Sequence, residues 1–208
     1  MALPGCSPKV QRSSTSGSVS ALAVSRTHLE DLYARTDDPW DFRSSPYEAA
    51  RFEATLAALP NLRYAHALEI GCGNGELATR LAPRCDAYTG IDAVPAALDA
   101  ARAAVPKGQF VQAFLPCELP EGAYDLIVLS EILYFLDRPG LRALAEQLDF
   151  RWPGAVILAV TWLGPSGNPL EGSDAFKHFT ASTTRDGIPA KPGDPRHRID
   201  LFAPLGGA

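Results

Sequence analysis

The stretch Ala67-Leu68-Glu69-Ile70-Gly71-Cys72-Gly73-Asn74-Gly75-Glu76-Leu77 constrains the fold more than any other part of the chain. It reads as a buried strand ending in a carboxylate, then a turn with glycine at every second position, then a helix expected over 75–82. Glycines so placed admit positive φ and let a ligand approach the backbone with no Cβ in the way. A helix starting there aims unpaired N–H groups and the positive end of its dipole at the same point. Many α/β domains use such a turn only to pack a helix on a strand, so the turn alone is weak evidence of function. The next acid-ended strand, Ala87-Tyr88-Thr89-Gly90-Ile91-Asp92, strengthens it. Asp92 falls about twenty residues past the glycines, where a carboxylate receives the two hydroxyls of a ribose.

Alternation continues from there. Strands are expected at 65–70, 87–92, 109–113, 124–130, 155–162 and 198–203, with helices at 75–82, 95–104, 139–148 and 174–180 between them. Strands alternating with helices make βαβ units and a mainly parallel sheet covered on both faces. The stretch 164–193 reads as loop-rich. Ahead of the alternation, His28 to Tyr33 reads as a short helix. Ser45-Pro46-Tyr47-Glu48 opens a longer one to Leu59 with a capping box and proline at the first helical position. Residues 27–62 are therefore expected as a helical lid and 63–208 as a Rossmann-like core. Residues 1–26, rich in Ser, Gly and Pro with no acid before Glu30, are expected as a disordered tail. They lack the amphipathic Arg face of an organelle-targeting segment and the apolar core of a signal peptide.

Composition excludes several classes. The 208 residues suit one domain, with 46% hydrophobic and 21% charged residues, ordinary for a chain that builds a core. A net charge of −5 argues against a nucleic-acid partner, which calls for a basic stripe. No apolar run is long enough to span a bilayer. Cys6, Cys72, Cys85 and Cys117 show no metal spacing and read as isolated thiols of a reducing, cytoplasmic compartment.

Three motifs together, Glu69-Ile70-Gly71-Cys72-Gly73-Asn74-Gly75, Gly90-Ile91-Asp92 and Tyr124-Asp125-Leu126-Ile127-Val128-Leu129-Ser130-Glu131, resemble those of class I S-adenosylmethionine methyltransferases. An NAD(P)-binding Rossmann domain would place two residues before its last glycine and a second catalytic domain downstream. Asp38-Pro39-Trp40, Tyr47-Glu48-xx-Arg51 and Leu129-Ser130-Glu131-xx-Tyr134 are similar to the NodS family of N-methyltransferases, which act on the amino sugar of nodulation-factor chitooligosaccharides. The runs 168–176 and 198–202 fit the same group, with His197 where that family has tyrosine. The resemblance implies an α/β fold with a seven-stranded, mainly parallel sheet whose last strand is antiparallel. It also implies S-adenosylmethionine as cofactor, S-adenosylhomocysteine as product and a small-molecule acceptor such as an amino sugar or oligosaccharide. Methylation of another small metabolite, on O or N, and a non-catalytic cofactor-binding module remain open alternatives. So does the choice between monomer and homodimer.

The same resemblance distributes roles. Gly71, Cys72, Gly73, Gly75, Asp92 and Ala93 are expected around the nucleoside, with Phe114 and Leu115 at the adenine. The family usually has an acid after its third strand, but this chain reads Gln112-Ala113-Phe114-Leu115, so stacking on Phe114 and backbone contacts replace that acid. Tyr33 and Trp40 suit a sulfonium through cation–π attraction. Arg51 suits the methionine carboxylate. Glu69 either faces the methionine ammonium or caps local N–H groups, and Ser130 stands near the methyl. Glu131, Tyr134 and His178 are the expected catalytic groups near the methyl. Asp37, Asp38, Asp41 and Glu131 form an acidic rim suited to an amine.

Overall fold

The two strands that carry Glu69 and Asp92 are direct neighbours. In the computed structural model, which describes residues 23–190 and 193–206, β1 (Tyr64–Ile70) pairs in parallel with β2 (Cys85–Asp92), Glu69 opposite Gly90. On its other side β1 pairs in parallel with β4 (Leu126–Ser130). The sheet has the order β3-β2-β1-β4-β5-β7-β6, with β3 at Gln109–Gln112, β5 at Val156–Trp162, β6 at Gly187–Pro189 and β7 at His197–Phe202. β7 runs antiparallel to both β5 and β6, and the other strands run together, as expected. Chain order reverses between β1 and β4, so the carboxyl ends of these strands flank a crevice where open α/β sheets bind ligands.

Alternate side chains of the central strands enter opposite cores, as a period of two requires. Leu68, Ile70, Ile127 and Leu129 pack with Leu141, Leu144 and Leu148 of α5 (Arg138–Arg151) and with Phe176 and Phe179 of α6 (Gly172–Thr180). Ala67, Leu126, Val128 and Leu158 pack with Phe52 and Leu56 of α2 (Pro46–Ala57) and Leu98 of α4 (Pro95–Ala104). Burial of both faces explains why the strands read as continuous apolar runs.

Several expectations shift. The helix expected over 75–82 is one α turn, α3 (Ala78–Leu81), continued by a 3₁₀ turn (Ala82–Arg84), so no long helix aims its N-terminus at the glycines. β6 was not legible, since its three residues are all exposed and carry no alternation. Residues 1–22 of the expected tail lie outside the described residues. Its last part belongs to the folded body: the Val24 N–H donates to the Phe135 carbonyl at 3.0 Å, and Ser25 caps α1 (Arg26–Tyr33).

The capping box at Ser45 is half formed. The Ser45 hydroxyl accepts the Glu48 N–H at 3.3 Å with Pro46 at the first position, as expected. The Ser45 N–H, however, donates to the Asp41 carbonyl, and the Glu48 carboxylate turns inward to Arg51.

Candidate active site

A cavity of about 180 Å³ opens at the carboxyl ends of β1, β2 and β4. Its floor is the glycine turn and Asp92, one wall is the turn after β4, and its roof is α1. The roof presents His28, Leu29, Leu32 and Tyr33, spaced so that one helical face meets the cavity. Of the expected residues, Tyr33, Trp40, Arg51, Gly71, Gly73, Asp92, Ala93, Phe114, Leu115, Ser130, Glu131 and Tyr134 line it.

Asp92 ends β2 with both carboxylate oxygens anchored. Oδ2 accepts the Gly73 N–H and Oδ1 the Val94 N–H, each at 3.0 Å. Burial raises its pKa, and these N–H groups work against that rise. The Ala93 N–H also favours the charged carboxylate, and the lone pairs left on the two oxygens are open to further donors. Gly71 has φ +84, and a Cβ there would lie 1.9 Å from the Ile132 Cγ2. Its bareness lets the β4 turn nest against the β1 turn. The Tyr33 hydroxyl stands 3.4 Å from the Cβ position of Gly73, and burial raises its pKa well above the ordinary phenol value. Tyr33, Trp40, Phe42 and Phe52 form a ladder of rings, with centroids 5.5, 5.7 and 6.0 Å apart.

The other end is polar. Arg51, 3% exposed, ion-pairs with Glu48 and lies 3.4 Å, through Nη1, from Glu131 Oε1. Burial works against its charge, while Glu131 and Glu48 overcome it and raise the guanidinium pKa. That Nη1 is buried and has no hydrogen-bond partner among the described residues. Glu131 adopts φ +59, a left-handed conformation that costs a non-glycine residue roughly 1–2 kcal/mol. Its Oε2 accepts the Tyr134 hydroxyl at 2.7 Å and the Trp162 N–H at 2.8 Å, while its own N–H donates to Val160. Beneath Gly71, a 30 Å³ pocket reaches Glu69, Cys72 and Asn74. Burial pushes the Glu69 carboxyl up to about 7, opposed by the hydroxyls of Tyr88, at 2.6 Å, and Ser130.

Four expected residues stand elsewhere. His178 does not line the cavity: α6 turns Ala175, Phe176 and Phe179 into the core and leaves His178 on its flank. Gly75, at φ +87, lies where a Cβ would come 2.9 Å from the Ala101 Cα, so its bareness serves packing of the turn on α4, and it does not line the cavity. Cys72 and Glu69 sit behind the turn, in the smaller pocket. The acidic rim is engaged locally. Asp38 accepts the Phe42, Arg43 and Asn74 donors and ties the lid to the turn, Asp37 pairs with Arg43 at 2.8 Å, and Asp41 accepts the Ser44 hydroxyl.

Other lining residues were missed. Glu48 was read only as a cap, and its burial partner Arg51 is visible as an i,i+3 pair. Arg26, read as tail, does not line the cavity but holds its guanidinium 5.3 Å from the ring centroid of the lining residue Phe114. His28, Trp162, Ser166 and Asn168 also line the walls; Asn168 opens the family-like run 168–176, and no local pattern in the sequence marks the other three.

With this geometry in place, the comparison with known proteins is specific. The model of the family "Nodulation protein S (NodS)" matches residues 25–148. The chain belongs to the NodS family. It is 39% identical over 108 residues to nodulation protein S of Rhizobium tropici, covering 48% of this chain and 44% of that protein. Against nodulation protein S of Sinorhizobium fredii the figures are 30% over 156 residues, 72% and 67%. The chain thus spans about half the length of some curated relatives, with 44% of the first and 50% of the Bradyrhizobium diazoefficiens protein. The crystal structure of N-methyltransferase NodS from Bradyrhizobium japonicum WM9 with S-adenosylhomocysteine superposes with a TM-score of 0.71 at 23% identity, covering 85% of this chain and 96% of that one. That likeness establishes the shared fold.

Proposed function

We propose that the protein is an S-adenosylmethionine-dependent methyltransferase acting on the amine of a small-molecule acceptor, an amino sugar being the class favoured. The observation that carries this reading is one cavity bordered by an Asp92 anchored on backbone N–H groups and by the buried Arg51, whose Nη1 lies 3.4 Å from Glu131 and donates no hydrogen bond among the described residues. The N-methyltransferase named among the relatives' structures supports it.

The residues fit the cofactor at each end. Asp92 would accept the two ribose hydroxyls, Arg51 Nη1 would meet the methionine carboxylate, and Glu69 would lie behind the ammonium. Phe114 would offer its face to the adenine in place of the acid the family usually carries. Tyr33 and Trp40 would favour a sulfonium electrostatically. S-adenosylmethionine supplies a methyl on a sulfonium: the acceptor's lone pair forms the new bond to carbon as the S–C bond breaks, and the positive charge passes to nitrogen. An amine needs no strong base for this, so holding and orienting the acceptor is the main demand on the protein. α1 and the aromatic ladder border the cavity with apolar side chains.

Calorimetric titration of S-adenosylhomocysteine, NAD and NADP tests the cofactor. Binding of S-adenosylhomocysteine alone is expected. Asp92→Ala should weaken it by roughly ten- to a hundred-fold, the loss of hydrogen bonds to a charged group. Binding of NAD, or of none of the three, would overturn the reading. Methyl transfer to a deacetylated chitooligosaccharide then tests the acceptor class, with a hydroxyl-only sugar as the control.

A further inference from the structure

The hydrogen-bond direction within the Glu131–Tyr134 pair has a chemical meaning for the acceptor. Glu131 Oε2 already takes two donors, the Tyr134 hydroxyl at 2.7 Å and the Trp162 N–H at 2.8 Å, and Oε1 faces Arg51. A carboxylate so occupied is poorly placed to receive an acceptor's proton directly. The carboxylate accepts and the phenol donates, so the proton of Tyr134 is committed to Glu131. The remaining lone pairs of the tyrosine oxygen are then free, and Tyr134 lines the cavity. Burial, and next the charge of Glu131, raise the Tyr134 pKa well above the ordinary phenol value, so the proton stays on the pair. Glu131 is locked in this pose by a left-handed backbone, φ +59, and by its N–H on Val160 at 3.1 Å. Strain of this kind at a cavity wall persists only when the surroundings over-determine it.

We propose that Tyr134 is the group that touches the acceptor nitrogen, accepting one of its N–H bonds, and that Glu131 is a positioning residue acting through Tyr134. This inference rests on the amine-methylating reading above. An amine with one N–H held by Tyr134 has its lone pair turned to a fixed direction, the orientation that displacement at carbon needs. As nitrogen gains positive charge, its N–H bond strengthens as a donor, and the fixed negative charge behind the phenol favours that change. No proton moves during the step. It stays on the product ammonium and is shed to solvent after release. An acceptor hydroxyl would present a similar donor but would have to lose its proton as it is methylated, and the oxygen of Glu131 that holds Tyr134 already takes two donors.

The test uses the whole chain, with a deacetylated chitooligosaccharide as the amine probe and S-adenosylhomocysteine as the dead-end ligand. Three quantities are measured for wild type, Tyr134→Phe and Glu131→Gln: the S-adenosylhomocysteine dissociation constant, the probe's affinity for the S-adenosylhomocysteine complex, and kcat. Tyr134→Phe should leave the first within about threefold, weaken probe binding about tenfold, and lower kcat about a hundred-fold. Glu131→Gln, whose amide oxygen still accepts the tyrosine proton, should lower kcat by about tenfold or more with probe affinity near wild type. Wild-type kcat in either variant overturns the proposal. So does a parallel loss of S-adenosylhomocysteine binding, which would assign the pair to holding Arg51. A wild-type protein that methylates no amine overturns the underlying reading instead, and the inference falls with it.

Discussion

Glu69 is a carboxylic acid placed where water cannot reach it, with its pKa pushed up to about 7 by burial. Its folded value exceeds the ordinary unfolded value of about 4.3, so the stability it contributes is present below that value and is lost as pH rises through about 7. A ligand ammonium beside it favours the charged form, so binding of S-adenosylhomocysteine near pH 6 should expel about one proton. Calorimetry in two buffers of different ionisation enthalpy would read this directly, and Glu69→Gln should abolish it. Equal heats in both buffers for the wild type would remove Glu69 from the ammonium site. At this scale the sequence was legible in residue type and ambiguous in role: a carboxylate at a strand end is visible, but its enclosure by Tyr88, Ser130 and Arg51 comes from other parts of the chain.

The element that carries the site is the turn from Gly71 to Gly75. Three glycines look alike in sequence and differ in what they touch. A Cβ at Gly73 meets nothing closer than 3.4 Å, whereas one at Gly75 meets the backbone of α4 at 2.9 Å. Both have positive φ, +51 and +87. Gly73→Ala should therefore cost about 1–2 kcal/mol, the left-handed penalty alone. Gly75→Ala should cost roughly 2–4 kcal/mol, because overpacking adds to it. Urea unfolding of the two variants checks the order, and equal losses would show that the contact with Ala101 is not rigid. The expected helix after this turn was too long because Gly75, Glu76 and Leu77 are used to turn the chain. Pro83, in the 3₁₀ turn, then limits the α segment to Ala78–Leu81. Helix period and breaker residues made α4 legible to the residue, since Pro95 opens it and nothing interrupts it before Ala104.

Across the whole molecule, one buried ion pair ties the far end of the sheet together. Arg185, its side chain fully buried, pairs with Asp149 of α5 at 2.8 Å and donates to the carbonyls of Trp152, Ala155 and Ala203. It thus joins the end of α5, the start of β5 and the segment after β7. Burial pushes the Asp149 carboxyl up, but donors from Thr184, Arg185 and Thr183 outweigh it and hold the pKa below the ordinary 3.8. A depressed carboxylate stabilises the fold above its unfolded pKa and loses that contribution as pH falls through the folded value. Stability should therefore fall with acid from about pH 4 downward, and Asp149→Asn should flatten that slope. Thermal melts at pH 3 and pH 7 measure it; an unchanged slope would assign the acid sensitivity to other carboxylates. Removing Arg185 should cost roughly 3–5 kcal/mol, since Asp149 would be left without its countercharge.

Sheet class, the positions of Gly71, Gly73 and Asp92 and six of the strands were determined by the sequence itself, and the antiparallel last strand by the motifs it shares with its family; β6 was not placed by either. Periodicity and glycine spacing are local, and a chain of this pattern buries both faces of its strands in one way. Only the tertiary structure decided that His178 stands outside the cavity and that Glu48 serves Arg51 more than its helix cap. It alone showed the carboxylates of Asp37, Asp38 and Asp41 engaged by neighbours, and α1, starting at Arg26, forming the roof. These outcomes depend on which groups meet across the β1–β4 switch and on which carboxylate finds a donor first. The pairs Glu48–Arg51, Asp37–Arg43 and Asp41–Ser44 are local in sequence, but the burial of Arg51, the Asp38–Asn74 tie and the roof over the cavity come from packing between distant segments, which spacing along the chain does not encode.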